Sequence, residues 1–411
     1  MPSETIQLRG HIIDSLTLPK VLDEITALDG QFEILEFDVG RRPQDPSYVR
    51  LRVDAPDEAV LMEILQRIQP HGAEPVAIRD ARLEPAPADG VFPDGFYVTT
   101  NHPTHVRIGG HWMEVRPVRM DCGIRVDEAA GTARSVKFSE VREGDRIVVG
   151  HEGVRVVPAE RRPRAGAVFE FMAGGVSSER PKAAVIRAVA DDMRRVRRAG
   201  EKILVVAGPA IVHTGATPHL VRLIERGYVD RLFAGNALAV HDIEYALYGT
   251  ALGIHLERGI PVESGHQHHL HAINTIRAAG GIRAAVEKGI LTRGIMHACV
   301  VHGVEFQLHG SIRDDGPLPE VITDVIQAQQ AMQAGLAGVG LVLMIATMLH
   351  SIAVGNLLPA TTRAVCVDIN PAVVTKLVDR GSWQTVGLVT DVEPFFVELL
   401  SHLEREGDDG R

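Results

Sequence analysis

GLVLMIATMLHSIAVGN (residues 340–356), RAVCVDIN (363–370) and TVGLVTD (385–391) follow one another near the end of the chain. Each opens on a short, continuously apolar run of Val, Leu and Ile and ends in a polar residue where the chain must turn. Runs that are apolar on both faces are what strands buried in a parallel sheet require. Asp368 closes the second run ahead of Asn370 and Pro371, and Asp391 closes the third ahead of EPFFVELLSHLERE. A strand, a polar rim and a helix in repeated succession predict a doubly wound α/β sheet. Ligands of such sheets bind beyond the carboxyl ends of the strands, which puts residues 347–351, 368–370 and 390–392 on one rim. An acidic side chain at Asp368 suits an adenosine ribose and repels a 2′-phosphate. Gly355 and Asn356 offer small residues and backbone N–H groups for a pyrophosphate. The plainer alternative is that Asp368 caps the helix that starts at Pro371.

Toward the N-terminus the same alternation continues. KILVVAGPA (202–210) is a short apolar strand ending in Gly-Pro, and further strands are predicted over 229–234, 294–299 and 305–308, with 341–346, 364–369 and 385–390 completing the sheet. A long amphipathic helix over 178–200 precedes them, with Ser178, Glu179 and Pro181 at its start and Gly200 at its end. Residues 178–411 therefore form one α/β region. Residues 5–78 read as β-α-β-β-α-β, the ferredoxin-like plan, within a domain spanning 1–82. The Pro- and Ala-rich stretch 83–95 reads as a linker, and short β runs over 96–160 predict a small β domain. The RRPR segment at 161–164 is expected to be a solvated connection.

Composition narrows the function. A formal charge of −10 over 411 residues argues against a general nucleic-acid binder. The three cysteines are far apart in sequence, which fits a reducing compartment with neither a disulfide framework nor a thiolate zinc site. No basic segment followed by an apolar one opens the chain, so a cytoplasmic location is expected. Residues 334–360 contain no Asp, Glu, Lys or Arg and are long enough to span a bilayer. His350, Ser351 and Asn356 interrupt that run, and a buried strand, turn and short apolar segment is the preferred reading.

Four further clusters bear ionisable side chains. GPAIVHTGATPH (208–219) sets His213, Thr214 and Gly215 in a polar loop suited to an anion, or to plain helix capping. AGNALAVHDIEYALYGTALG (234–253) places His241, Asp242 and Glu244 on an otherwise apolar helix. Groups of that kind belong there only if they meet a ligand or one another. SGHQHHLHAIN (264–274) carries His266, His268, His269 and His271, yet no HExxH or suitably offset carboxylate accompanies them, so no metal is expected. GSIRDDGPLP (310–319) brings Arg313, Asp314 and Asp315 directly after a strand and before a helix expected to begin at Pro-Leu-Pro. An Arg holds a carboxylate bidentately and an Asp accepts an ammonium or a proton, which together suit an amino-acid substrate.

These blocks, with HIIDS at 11–15, TMLHSIAVGN at 347–356, VDINPAVVTKL at 367–377 and DRGSWQT at 379–385, resemble proteins carrying the lysine-oxoglutarate reductase/saccharopine dehydrogenase (LOR/SDH) conserved region, a family that includes archaeal ornithine cyclodeaminase. The chain is also similar to the C-terminal part of cyanobacterial arginine dihydrolase/ornithine cyclodeaminase, and its sheet to the NAD-binding domain of the deoxyhypusine synthase and sirtuin group. The resemblance implies a redox-neutral conversion of L-ornithine to L-proline and ammonia with tightly held NAD and no metal. Carried onto this sequence, it implies dinucleotide contacts at Asn236, Ala237, Asp315, Thr347, Met348, Leu349, His350, Ser351, Asp368, Asp391 and Val392. For substrate binding and proton transfer, residue chemistry points to Asp242, Glu244, Arg313 and Asp314, with His213 next. The guanidine-removing module of the cyanobacterial enzymes has no counterpart here, so arginine is not an expected substrate. Self-association through the N-terminal domain is expected. An NAD(P)-dependent dehydrogenase of lysine or saccharopine, or a non-catalytic NAD-binding sensor, are the alternatives.

Overall fold

The computed structural model describes residues 2–13, 16–40, 42, 45–76, 79–157, 182–252, 254–255, 260–261, 267–314, 316–380 and 385–405. The chain divides into two units, Met1–Ala167 with Asn356–Thr361, and Val168–Gly355 with Thr362–Arg411.

In the first unit, strands Ser3–Gly10, Gln31–Asp38, Ser47–Asp54 and Glu74–Pro75 form an antiparallel sheet in the spatial order second, third, first, fourth. Helices Thr17–Ala27 and Glu58–Ile68 cover one face of it, with Val21, Ile25, Ile64 and Leu65 packed on Ile6, Leu8, Val49 and Leu51. This is the ferredoxin-like plan. Its edge strand Gln31–Asp38 lies beyond the helices' cover, and Phe32, Ile34 and Phe37 remain exposed. Two small sheets follow. One joins Arg82–Pro85, Arg146–Val149, Gly123–Asp127 and Thr132–Val136, and the other Val154–Val156, Thr104–Ile108 and His111–Glu114. The linker reading of 83–95 is corrected at its start. Leu83 and Glu84 belong to a strand, because the backbone of Arg146–Val149 is there to pair with them. The RRPR segment, the expected helix start at Ser178–Pro181, part of HIIDS and part of DRGSWQT lie outside the described residues.

The second unit is a seven-stranded sheet, parallel throughout, in the order Val321–Ile322, Glu305–His309, Arg231–Gly235, Lys202–Ala207, Val339–Ile345, Arg363–Asp368, Thr385–Val389. The run 334–360 resolves into the central strand Val339–Ile345, a turn and the helix Leu349–Gly355, and no described helix is long and apolar enough to cross a membrane. The strands are buried on both faces, as Ile203, Val205, Leu341, Leu343 and Val365 show, which accounts for their continuously apolar sequence. The order reverses between Lys202–Ala207 and Val339–Ile345, so the topological switch lies where Gly208 meets Ala346.

One strand expectation fails. Residues 294–299 are helical, within Ile295–Val301. A short apolar run does not by itself distinguish a buried strand from a buried helix. Here Gly294, at φ +101°, turns the chain into a helix whose first N–H groups are met by a carboxylate more than 50 residues away in sequence. A second correction concerns Pro317–Pro319, which do not start a helix. The chain first forms the edge strand Val321–Ile322, and the next helix, Val325–Ala334, is capped by Asp324.

Candidate active site at the carboxyl edge of the parallel sheet

The switch point is shaped by backbone. Gly208 donates its N–H to the Ile345 carbonyl at 2.9 Å, and a Cβ on Gly208 would run into the carbonyl of Ala346. Ala346 itself takes φ +51°, so the strand ends in a sharp turn that sends Thr347, Met348 and Leu349 outward. Met348 and Leu349 are exposed. Gly355 lies at the far end of the helix Leu349–Gly355, where a side chain would meet Leu377, so the expectation of a pyrophosphate at Gly355 is corrected. The amides that lack partners within a helix lie at its first turn, not its last.

The helix Leu349–Gly355 brings His350 against the end of strand Arg231–Gly235. A Cβ on Gly235 would sit 3.1 Å from His350 Cε1. Beside it lies His309, the last residue of its strand, with the two ring centroids 5.5 Å apart. His309 is 3% exposed, and neither ring nitrogen has a hydrogen-bond partner among the described residues. Burial first, and His350 second, hold its pKa down to about 4, opposed by a contact with the Ala234 backbone that is too poorly aligned to count as a hydrogen bond. Burial likewise lowers that of His350, with nearby Asp314 opposing. Ser351 is fully buried, and its hydroxyl is also unpartnered. An unmet buried polar group costs about 1–3 kcal/mol, so this cluster has the character of a site completed by a ligand. His309 was not among the residues singled out from sequence. The only signal was its position at a strand end, ahead of Gly310.

Several expected residues do other work. Asn236 is buried, with its amide oxygen accepting the Leu318 N–H at 3.1 Å and its amide nitrogen donating to the Gly316 carbonyl at 3.4 Å. It clamps the loop that carries Arg313 and Asp314. Ala237 is half-buried in the first turn of the helix Asn236–Tyr248. Asp314 accepts the backbone N–H and the hydroxyl of Ser311, at 2.8 and 3.1 Å, while Arg313 is exposed on the rim. Asp315 and His266 lie outside the described residues. Asp242 is fully buried, and its two oxygens accept the N–H groups of Ile295 and Met296, each at 2.8 Å. The substrate-binding reading of Asp242 is thereby corrected. It anchors a helix start, and burial lifts its carboxyl to about 6 against those two hydrogen bonds.

His213 ends the helical turn Ala210–His213 instead of lying in an open loop. Its ring stands edge-on to His241, with centroids 4.9 Å apart, and its Nε2 is buried without a partner. Burial, then His241, lower its pKa. Glu244 is fully buried behind this pair. On the other side of the switch, Asp368 Oδ1 accepts the Asn370 N–H at 2.8 Å, and Asn370 Oδ1 accepts that of Ala372. The cap of the helix Pro371–Arg380 is therefore Asn370, and Oδ2 of Asp368 has no hydrogen bond among the described residues. Asp391 accepts the N–H of Val392, whose side chain is buried. Among the described residues no three His, Cys, Asp or Glu side chains gather closely enough to hold a metal ion. His268, of the four clustered histidines, meets Thr250 and stacks on Tyr248.

A parallel sheet with a glycine at its switch point and an acidic strand end defines a Rossmann-type class of protein. Three family descriptions account for nearly the whole chain. Residues 3–102 match the LOR/SDH bifunctional enzyme conserved region, 103–186 the first region of the arginine dihydrolase ArgZ-like C-terminal part, and 187–399 its Rossmann fold. The chain belongs to this LOR/SDH and ArgZ-like C-terminal family. It is 54% identical to the ornithine cyclodeaminase of Methanopyrus kandleri, over 99% of this chain and 98% of that one. The crystal structure of ligand-free ArgZ, an arginine dihydrolase of the cyanobacterial ornithine-ammonia cycle, superposes with a TM-score of 0.85 at 40% identity, over 98% of this chain and 58% of ArgZ. The ternary complex of AgrE with ornithine and NAD+ gives a TM-score of 0.55 at 43% identity, over 99% of this chain and 58% of AgrE.

Proposed function

We propose that the protein is an ornithine cyclodeaminase, converting L-ornithine to L-proline and ammonia with NAD. The observation that carries the reading is the group of buried polar atoms on His309 and Ser351 that find no well-aligned partner among the described residues, in a chain whose near full-length relatives bear that activity in their names. NAD, when bound, supplies reversible hydride acceptance, which makes the overall conversion redox-neutral.

The chain's own residues bind, orient and move protons. Gly208 and Gly235 let the Ala346 turn and the His350 ring close against the strand ends that form the switch point. His309, His350 and Ser351 hydrogen-bond and orient the cofactor at the switch, and Asp368 accepts from a ribose hydroxyl. Ala237, Thr347, Met348, Leu349, Asp391, Val392 and Asp315 line the same dinucleotide, and Asn236 holds the rim loop in place. Arg313 grips the substrate carboxylate, Asp314 accepts an ammonium hydrogen, and His213 and Glu244 serve proton transfer. Holding substrate and cofactor in register, and keeping water from the imine formed on the way, is the main catalytic task.

The domain division 1–82, 96–160 and 178–411, a cytoplasmic location and self-association belong to the same proposal. Buried unpaired thiols at Cys122, Cys299 and Cys366 support the location. The uncovered apolar shoulder at Phe32, Ile34 and Phe37 supports association of two copies along that edge, and sedimentation of Ile34→Lys against the parent tests it.

The activity is tested by incubating the purified chain with NAD+ and ornithine, lysine or arginine. Equal amounts of proline and ammonia from ornithine, without accumulation of NADH, are expected. Lysine differs by one methylene, worth about 1–3 kcal/mol in a fitted pocket, and should react more slowly. Accumulating NADH would favour a dehydrogenase, and cofactor binding without turnover a sensor.

A further inference from the structure

Behind His213 runs a chain of hydrogen bonds through His241, Glu244, Thr250 and His268. Glu244 Oε2 accepts the backbone N–H of Leu252 at 3.1 Å and lies 3.1 Å from His241 Nδ1. Its other oxygen, Oε1, accepts the Thr250 hydroxyl at 3.0 Å. The Thr250 oxygen lies 2.8 Å from His268 Nδ1. Thr250 has one proton and gives it to Glu244, so His268 Nδ1 must be the donor to Thr250. In its carboxylate form Glu244, fully buried, accepts from the amide, the hydroxyl and the His241 ring together. At His241 the ring is therefore the donor, with its proton on Nδ1. In the neutral ring Nε2 then carries the lone pair. That nitrogen makes no hydrogen bond among the described residues, and the residue keeps 9% exposure. Among the described residues, the titratable groups facing the ring are Glu244 on its own helix and His213 on the neighbouring turn.

We propose that His241 is a further catalytic residue, the general base that accepts the proton of the substrate's α-ammonium, with Glu244 as its positioning residue. This rests on the ornithine reading above. In the step, the N–H bond of the ammonium breaks, its electron pair stays on nitrogen, and the proton forms a new bond to Nε2. Oxidised nicotinamide is the oxidant that then takes hydride from the α-carbon of the neutral amine, leaving an iminium. The part of Glu244 in proton transfer is thus indirect, its buried charge stabilising the imidazolium without itself taking a proton. The arrangement follows one helix face, since residues three apart stand over one another, while the locking groups Thr250 and Leu252 come from the turn beyond the helix.

Two measurements decide it. In the full-length, ligand-free protein, nitrogen-15 NMR of the histidine rings, assigned with His241→Asn, is expected to show His241 protonated on Nδ1 when neutral. The Nε2–H form would overturn the proposal whatever the substrate. In turnover, His241→Asn is expected to lower kcat by about 10²–10⁴-fold, with NAD+ affinity by calorimetry within about threefold of the parent. Glu244→Gln is expected to keep NAD+ binding and move the acid limb of the kcat–pH profile to lower pH, because the imidazolium loses its countercharge. A kcat for His241→Asn within tenfold of the parent, or a loss that merely tracks lost NAD+ binding, overturns it. If the parent makes no proline, the ornithine reading fails on its own, and the ring tautomer still reports whether the His–Glu pair exists.

Discussion

The carboxylate of Asp242 and the backbone amide of Ile295 are joined at 2.8 Å in the interior, so an acidic residue on one helix starts another. Met296 donates to the other oxygen. Replacing Asp242 by Asn sets an amide N–H₂ against one of these donors, and a loss of about 1–3 kcal/mol is expected in denaturant unfolding. The sign with pH follows from the raised carboxyl. Its folded pKa is about 6 against 3.8 for the unfolded group, so its contribution is full below about pH 4 and is lost as pH rises to 6. The deficit of the Asn variant should therefore narrow over that window. Turnover per folded molecule should stay within about threefold of the parent if the carboxylate is an anchor.

His309 offers a contrast, since its ring nitrogens meet no well-aligned hydrogen-bond partner among the described residues. His309→Leu removes two unmet polar atoms, so thermal unfolding should be unchanged or shifted upward. NAD+ affinity should fall by about tenfold or more, equivalent to roughly 1.4 kcal/mol. The imidazole pKa is depressed to about 4, so the parent holds this group's contribution above about pH 6.5 and loses it as pH falls toward 4. The Leu variant should lose less stability over that interval. A large fall in melting temperature with intact NAD+ binding would assign His309 to the core.

Asp368 tests the cofactor assignment. One oxygen is held by the Asn370 amide at 2.8 Å and the other makes no hydrogen bond among the described residues. Asp368→Ser is expected to weaken NAD+ by about tenfold while weakening NADP+ less, because the charge that repels a 2′-phosphate is gone. Calorimetric titration with both cofactors gives the ratio. An unchanged ratio removes Asp368 from the ribose.

Gly208→Ala probes the switch point itself. The new methyl group meets the Ala346 carbonyl, with Thr347 Cβ 3.0 Å away, so the turn or the strand end must move. Overpacking of this kind costs about 1–3 kcal/mol. Melting temperature should fall, and NAD+ affinity should fall with it, since the displaced backbone lines the cleft.

The order of elements was largely legible, because strands buried on both faces have no choice but to be apolar throughout, and helices such as Lys182–Arg198 must alternate at their own period. The ferredoxin-like plan could be read for the same reason. Residues 294–299 could not, because the group that makes them helical is Asp242, brought in by the fold. Asp242 also misled as a site residue, since a buried carboxylate caps a helix and binds an amine by the same chemistry of acceptance.

What the amino-acid order alone settled is the alternation of strand and helix, the acidic strand ends and the family to which these motifs point, all consequences of local pattern. What only the assembled sheet settled is which polar groups go unmet. His309 is ordinary in sequence, and becomes a candidate because strand order and the helix Leu349–Gly355 enclose it with His350, with neither nitrogen well partnered among the described residues. Hydrogen-bond satisfaction is a property of neighbours in space, and the chain reveals those neighbours only when folded.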